Sequence, residues 1–204
     1  MEASAHWDRM YGTKTAKELS WTRAHLNISL ELIRGAGMGK ATPVIDAGGG
    51  ESTLVDDLLA EGYEDVTVLD VSEQAIARAR SRLGVAADRV TWMTGDVLEV
   101  KLPQGHYGIW HDRAVFHFLT EAAQREVYVR GVREAMQVGG HVIVGTFATD
   151  GPETCSGLAV RRYDIAGLGQ EFGEGFRLME SAREIHETPL GTVQPFVYGR
   201  WERV

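Results

Sequence analysis

Three carboxylates in this chain recur at the ends of short apolar runs. Asp46 precedes Gly48, Gly49 and Gly50 in "PVIDAGGGES", Asp70 closes "VTVLDVS", and Asp96 sits in "TGDV". A glycine run leaves the backbone bare, so a ligand can lie directly against it, and the helix that follows offers free N–H groups. Three glycines together exceed what a tight turn needs. A dinucleotide loop would read G-x-G-x-x-G. Gly48 and Gly50 fit that pattern, but Thr53 takes the third place. Asp46 would also set a carboxylate beside bound phosphates, and a ligand with a positive group suits it better. Asp70 can accept from both ribose hydroxyls of an adenosine, or it can serve the dipole of the helix opening at Ser72. Asp96 can accept from an adenine amino group while the Val97 backbone reads the ring edge and Val71 packs on the base.

The surrounding sequence predicts the elements that would carry these groups. "PVIDAG", "VTVLDV", "VTWMTGDV", "YGIWHD" and "HVIVGTFA" read as buried strands. Between them, "STLVDDLLAEG", "SEQAIARARSRLG" and "TEAAQREVYVRGVREAMQVGG" read as helices, the second capped by Ser72. Strands alternating with helices of this length predict βαβ units and a parallel sheet covered on both faces. "DGPETCSGLAVRR" reads as a polar loop and "YDIAGLGQEFG" as a short helix. "FRLMESAREIHET" and "TVQPFVYGRWERV" form a closing antiparallel hairpin. Residues 1–40 are mostly helical, with Leu26, Leu30 and Ile33 at helical spacing before Gly35 and Gly37.

"VIDAGGGES", "VTVLDVSEQAIARAR", "TGDV" and "GIWHDRAVFHFL" resemble the successive motifs of class I S-adenosylmethionine-dependent methyltransferases, over roughly Pro43 to Ala148. The resemblance implies an α/β three-layer sandwich. Its sheet is Rossmann-like, mostly parallel and seven-stranded, with a C-terminal antiparallel hairpin. It implies a single domain over 1–204, with an N-terminal helical lid (1–40), a cofactor-binding core (43–148), and a substrate loop, helix and hairpin (149–204). It implies S-adenosylmethionine as cofactor and S-adenosylhomocysteine as product. The glycine loop faces the methionine part, Asp70 holds the ribose, and Asp96 and Val97 hold the adenine. Ser52 stands where a further glycine is common, and there it can cap the next helix. The lid would bring Trp21 near the sulfonium, where an aromatic face attracts a cation, and Tyr11 near the methionine carboxylate. Core packing accounts equally well for both.

Methyl transfer is an in-line displacement, and the acceptor belongs just past the fourth strand, in "WHDRAVFHFLTE". Asp112 at that tip can orient an acceptor or a water. His117 is the candidate general base or acceptor-orienting group, with an ordinary pKa of about 6.5, or else a polar residue between Phe116 and Phe118. Arg113 pairs with a substrate carboxylate or with Asp112. Arg161, Arg162 and Tyr163 meet an anionic acceptor or form a solvated face. His186 lies near the hairpin turn, with no place assigned to it.

The chain has 204 residues, 44% of them hydrophobic, and a formal net charge of −8 without a basic tract. That disfavours a phosphate backbone as partner, and no run approaches a membrane span. Cys155 is the lone cysteine, read as a small buried hydrophobe, and no metal-ligand spacing occurs, so no metal is expected. The N-terminus lacks a secretory signal, which points to the cytoplasm. A small-molecule methyl acceptor is the leading reading, because little besides the core and lid is visible. A protein lysine methyltransferase, whose acidic surface would suit a basic peptide, and a noncatalytic cofactor-binding module are the alternatives. A nicotinamide-dependent oxidoreductase is weakened by Thr53 and Asp46.

Overall fold

A computed structural model describes residues 2–15 and 18–204. Two helices come first, α1 (Glu2–Thr13) and α2 (Asn27–Gly35). Then β1 (Val44–Ala47), α3 (Leu54–Ala60), β2 (Val66–Asp70), α4 (Glu73–Leu83), β3 (Val90–Thr94), β4 (Tyr107–Arg113), α5 (Ala122–Ala135) and β5 (Met136–Phe147) alternate. A short hairpin of β6 (Thr154–Cys155) and β7 (Leu158–Ala159) precedes α6 (Ile165–Phe172), β8 (Phe176–Glu187) and β9 (Val193–Arg203). The sheet order is β3-β2-β1-β4-β5-β9-β8. The first five strands are parallel, and β9 and β8 join antiparallel.

Side-chain alternation divides the core into two layers, because successive residues of a strand face opposite sides. Val44, Val66, Val68, Ile109 and Ile143 pack with α2 and α3 on one side. Ile45, Leu69, Trp110, Val142 and Val144 pack with α5 and α6 on the other. The expected three-layer sandwich is therefore present. A third, small cluster joins Tyr11, Leu19 and Ala75, with Trp7 and Trp21 against it. It ties α1 to α4, where Asp8 accepts from the Ser72 hydroxyl at 2.7 Å.

Three boundaries differ from expectation. The helix over 122–135 stops before "MQVGG", because Met136 is already extended and pairs with Tyr107. The loop after β5 folds into the β6–β7 hairpin, whose turn residues Ser156 and Gly157 have φ of 52° and 80°. Both values are positive, as a two-residue hairpin turn requires. Finally, α2 belongs to the main core rather than to the lid, burying Leu30, Leu32 and Ile33. Among the described residues no helix is long and apolar enough to cross a membrane, and no cluster of three His, Cys, Asp or Glu could hold a metal.

Candidate active site

The loop after β1 turns sharply enough to demand its glycines. Gly48 and Gly50 have φ of 71° and 49°. Gly48 and Gly49 donate across to the Leu69 carbonyl of β2, at 2.7 and 3.2 Å. No Cβ has room here. At Gly48 it would lie 1.9 Å from Val115 Cγ2, at Gly49 2.6 Å from Asp46 Oδ2, and at Gly50 2.7 Å from the Tyr11 hydroxyl. Ser52 accepts from Leu54 N at 3.1 Å and so serves the first turn of α3.

Two cavities open at this end of the sheet, and Tyr11, Trp21, Gly48 and Arg113 line both. The larger, about 430 Å³, runs past Asp70 and Val71 of the β2 end and Gly95 to Leu98 after β3. It also reaches Ala114, Val115 and Phe118 after β4 and the hairpin residues Cys155, Leu158 and Ala159. The smaller, about 50 Å³, lies under the glycine loop among Asp46, Gly49, Ser52, Arg23, Glu51 and His111.

Asp70 accepts from Ser72 N at 2.8 Å, and burial pushes its carboxyl up to about 7. Asp96 accepts from Leu98 N at 2.9 Å, which turns the chain so that Val97 enters the wall. Arg113 is held on three sides. Its Nε donates to the Tyr198 hydroxyl at 2.8 Å, its Nη1 to Trp21 O at 3.2 Å, and its face lies 4.5 Å from the Phe196 ring. Its Nη2 is buried without a hydrogen-bond partner among the described residues. Glu184 ties this cluster together by accepting from Tyr198 and pairing with Arg23. His186 accepts from Arg23 on Nδ1 and donates to Ser20 O from Nε2, which gives it a place beside the lid.

Two expected catalytic residues lie away from both cavity walls. Asp112 is fully buried on the α5 side, where Tyr128 donates to it at 2.6 Å and Val115 N at 2.9 Å. It shapes the turn carrying Ala114, whose φ is 69°. Burial raises its carboxyl to about 6. His117 is also fully buried, 4.5 Å from the Phe118 ring and 4.7 Å from Phe147. Burial, then the nearby Arg113 charge, lower its pKa to about 3. A general base must reach the proton it takes, and this geometry gives His117 a packing place instead. His117→Ala is expected to cost about 2–5 kcal/mol of stability, the scale of a large-to-small core change. Turnover per folded molecule should persist; a thermal melt beside a rate assay checks both. Arg161 and Arg162 face Glu171 and Glu153, not the cavity.

Leu69, Trp7, Phe118, Leu158 and Arg23 line the cavities without having been expected there. Only the Ser-Gly turn carried a local signal for any of them, because it marks the hairpin that brings Leu158 in.

Residues 44–140 match the family model described as a methyltransferase domain. The core of this chain is a class I methyltransferase domain, with S-adenosylmethionine as methyl donor. A Bos taurus protein, "eEF1A lysine and N-terminal methyltransferase", is 21% identical over 144 residues, covering 68% of this chain and 20% of that protein. The chain thus spans about a fifth of that relative. Among solved structures, one from work on thioacetal formation in echinomycin biosynthesis has a TM-score of 0.78 at 17% identity, covering 98% of this chain and 93% of the other. The Burkholderia thailandensis 1,6-didemethyltoxoflavin-N1-methyltransferase, with its substrate and S-adenosylhomocysteine bound, has a TM-score of 0.71 at 18% identity, covering 100% and 84%.

The cavities fit the donor. Asp46 Oδ2 is buried without a partner among the described residues, the glycine loop leaves space no Cβ tolerates, and Arg113 Nη2, ion-paired with Glu184 at 3.7 Å, makes no hydrogen bond among the described residues.

Proposed function

We propose that this methyltransferase acts on a small, flat, largely apolar acceptor. The observation that carries this reading is the aromatic and aliphatic wall of the larger cavity. Trp7 meets Trp21 edge to face at 5.8 Å and Phe118 at 5.2 Å, and Cys155, Leu158 and Ala159 close another side. The cavity of about 430 Å³ lies within the range of small-molecule sites, roughly 300–1,000 Å³, and is shared between the adenosine of the methyl donor and this acceptor.

When bound, S-adenosylmethionine supplies an electrophilic methyl group on a sulfonium. Asp70 accepts from the ribose hydroxyls, and Asp96 with the Val97 backbone holds the adenine. The small cavity offers Arg23 and Arg113 to a carboxylate and Asp46 to an ammonium, which suits the amino-acid end. Trp21 and Tyr11 cover both. The chain's work is then alignment and exclusion of water, and alignment alone contributes about 7–11 kcal/mol. Among the described lining residues none is free to act as a base toward the acceptor. Burial raises the Cys155 thiol to about 11 and the Tyr11 hydroxyl above its ordinary range. The acceptor therefore brings its own lone pair, as a thiolate, a thioether or an unprotonated ring nitrogen.

A panel of heteroaromatic thiols and ring nitrogens, set against a lysine-bearing basic peptide, tests the reading. Methylation of small acceptors, with a pH profile that follows each acceptor's own pKa, is expected. Methylation of the peptide with every small acceptor untouched would overturn it in favour of the lysine reading, to which the Bos taurus similarity lends weight. Phe118→Ala should raise the acceptor KM about tenfold, since the half-buried ring contributes toward the lower end of the roughly 1.5–3 kcal/mol of a fully buried side chain, and leave S-adenosylhomocysteine affinity unchanged.

The raised Asp70 carboxyl gives the cofactor site a pH dependence of fixed sign. Ribose hydroxyls donate, so they favour the ionised form, and binding lowers the carboxyl pKa from about 7. Affinity should fall as pH drops from about 8 to about 6, with a proton released on binding in that window. Calorimetry in buffers of different ionisation enthalpy reads that proton.

A further inference from the structure

Three buried side chains run in a line behind the small cavity. Ser29 Oγ, on α2, lies 2.8 Å from His111 Nε2, and His111 Nδ1 lies 2.7 Å from Asp46 Oδ1. The parallel register of β1 and β4 sets Asp46 beside His111. The three residues are 1%, 1% and 2% exposed, in the order Ser29, His111, Asp46. A carboxylate only accepts, so the ring proton sits on Nδ1, and Nε2 accepts from the Ser29 hydroxyl.

Serine, histidine and aspartate in contact are the residue types of a nucleophilic triad, but this one is turned the other way. Ser29 lines neither cavity, whereas Asp46 and His111 both line the small one. The chain of hydrogen bonds therefore ends on the carboxylate, not on the hydroxyl. One oxygen of that carboxylate is tied from behind. The other, Oδ2, is buried with no partner among the described residues, directly beneath Gly49. A buried acceptor left unpaired is costly, and a donor arriving in the cavity would satisfy it.

We propose that His111, backed by Ser29, is a positioning residue of the methyltransferase. It fixes the Asp46 carboxylate so that Oδ2 receives the α-ammonium of the methyl donor. The proposal rests on the reading that the small cavity takes the amino-acid end. His111 acts through Asp46 and distinguishes ligands that carry the ammonium from ligands that lack it.

The test compares S-adenosylhomocysteine with methylthioadenosine, the fragment without the amino-acid end, by calorimetry. The wild-type protein is expected to bind S-adenosylhomocysteine more tightly. His111→Gln, whose amide reaches toward Ser29 but not Asp46, should weaken S-adenosylhomocysteine about tenfold, the scale of a lost charged hydrogen bond. Methylthioadenosine affinity should stay unchanged. His111→Asn places an amide donor near the Nδ1 position and should restore most of the preference. Ser29→Ala should give a smaller loss, again for S-adenosylhomocysteine alone, and it decides the matter if His111→Gln does not fold. Equal losses for both ligands would mean that His111 only supports the fold, and would overturn the proposal. A wild-type preference that survives in every variant would overturn the role of His111 while leaving the small-cavity reading intact. Equal wild-type affinities for the two ligands would overturn that reading itself.

Discussion

Asp70→Asn is expected to weaken S-adenosylhomocysteine binding by about 1–3 kcal/mol, the scale of hydrogen bonds lost to a charged group. The carboxylate stands at the tip of β2, accepting from Ser72 N and facing the cavity with its remaining capacity. Asparagine keeps the acceptor for Ser72 but replaces the second carboxylate oxygen with a donor, which cannot accept from a ribose hydroxyl. Stability should move the other way. The folded-state carboxyl is raised from 3.8 to about 7 by burial, so holding it ionised costs stability as pH rises through that window. Removing the charge should leave the melting temperature unchanged or higher at about pH 8. A folded variant with wild-type affinity would remove Asp70 from the cofactor site.

Gly48→Ala is expected to have the largest effect on the loop itself. The new methyl would sit 1.9 Å from Val115 Cγ2, on a residue whose φ is 71°. Overpacking costs about 1–3 kcal/mol and a left-handed alanine about 1–2 kcal/mol, so the sum is roughly 2–5 kcal/mol. Cofactor binding should be lost with it, because Gly48 lines both cavities. Val115→Ala separates the two causes by removing the opposing methyl groups. The double variant should recover the steric part and keep the backbone part, a coupling that a double-mutant cycle measures. Gly48→Ala with wild-type stability and affinity would contradict the account of the loop.

That the glycine loop, Asp70 and Asp96 come together at one end of the sheet was legible because each signal is local. A strand, a carboxylate at its end and small residues after it lie within a few positions of each other. Ser72 as a helix cap was legible for the same reason, and its hydroxyl accepts from Ala75 N. The cluster after β4 was misread because proximity in sequence is not proximity on a strand. In "WHDR" the period of two sends His111 and Arg113 toward the cavities and Asp112 toward Tyr128 on the opposite face. That alternation was available in the sequence. The Ser29–His111–Asp46 line was not, because it depends on which strand lies beside β1 and on where α2 packs. Trp7, Phe118 and Leu158 line one cavity from three separate segments, so apart from the Ser-Gly turn nothing local announces the wall they form. The end of α5 was missed because "AMQVGG" continues a helical pattern until the pairing of Met136 with Tyr107 overrides it.

One titration tests the central claim most directly: the purified protein with S-adenosylmethionine and S-adenosylhomocysteine by calorimetry, with NAD as control. The account predicts that both sulfur nucleotides bind and NAD does not. Binding of NAD, or of none of the three, would contradict the reading of the three glycines and of the carboxylates around them.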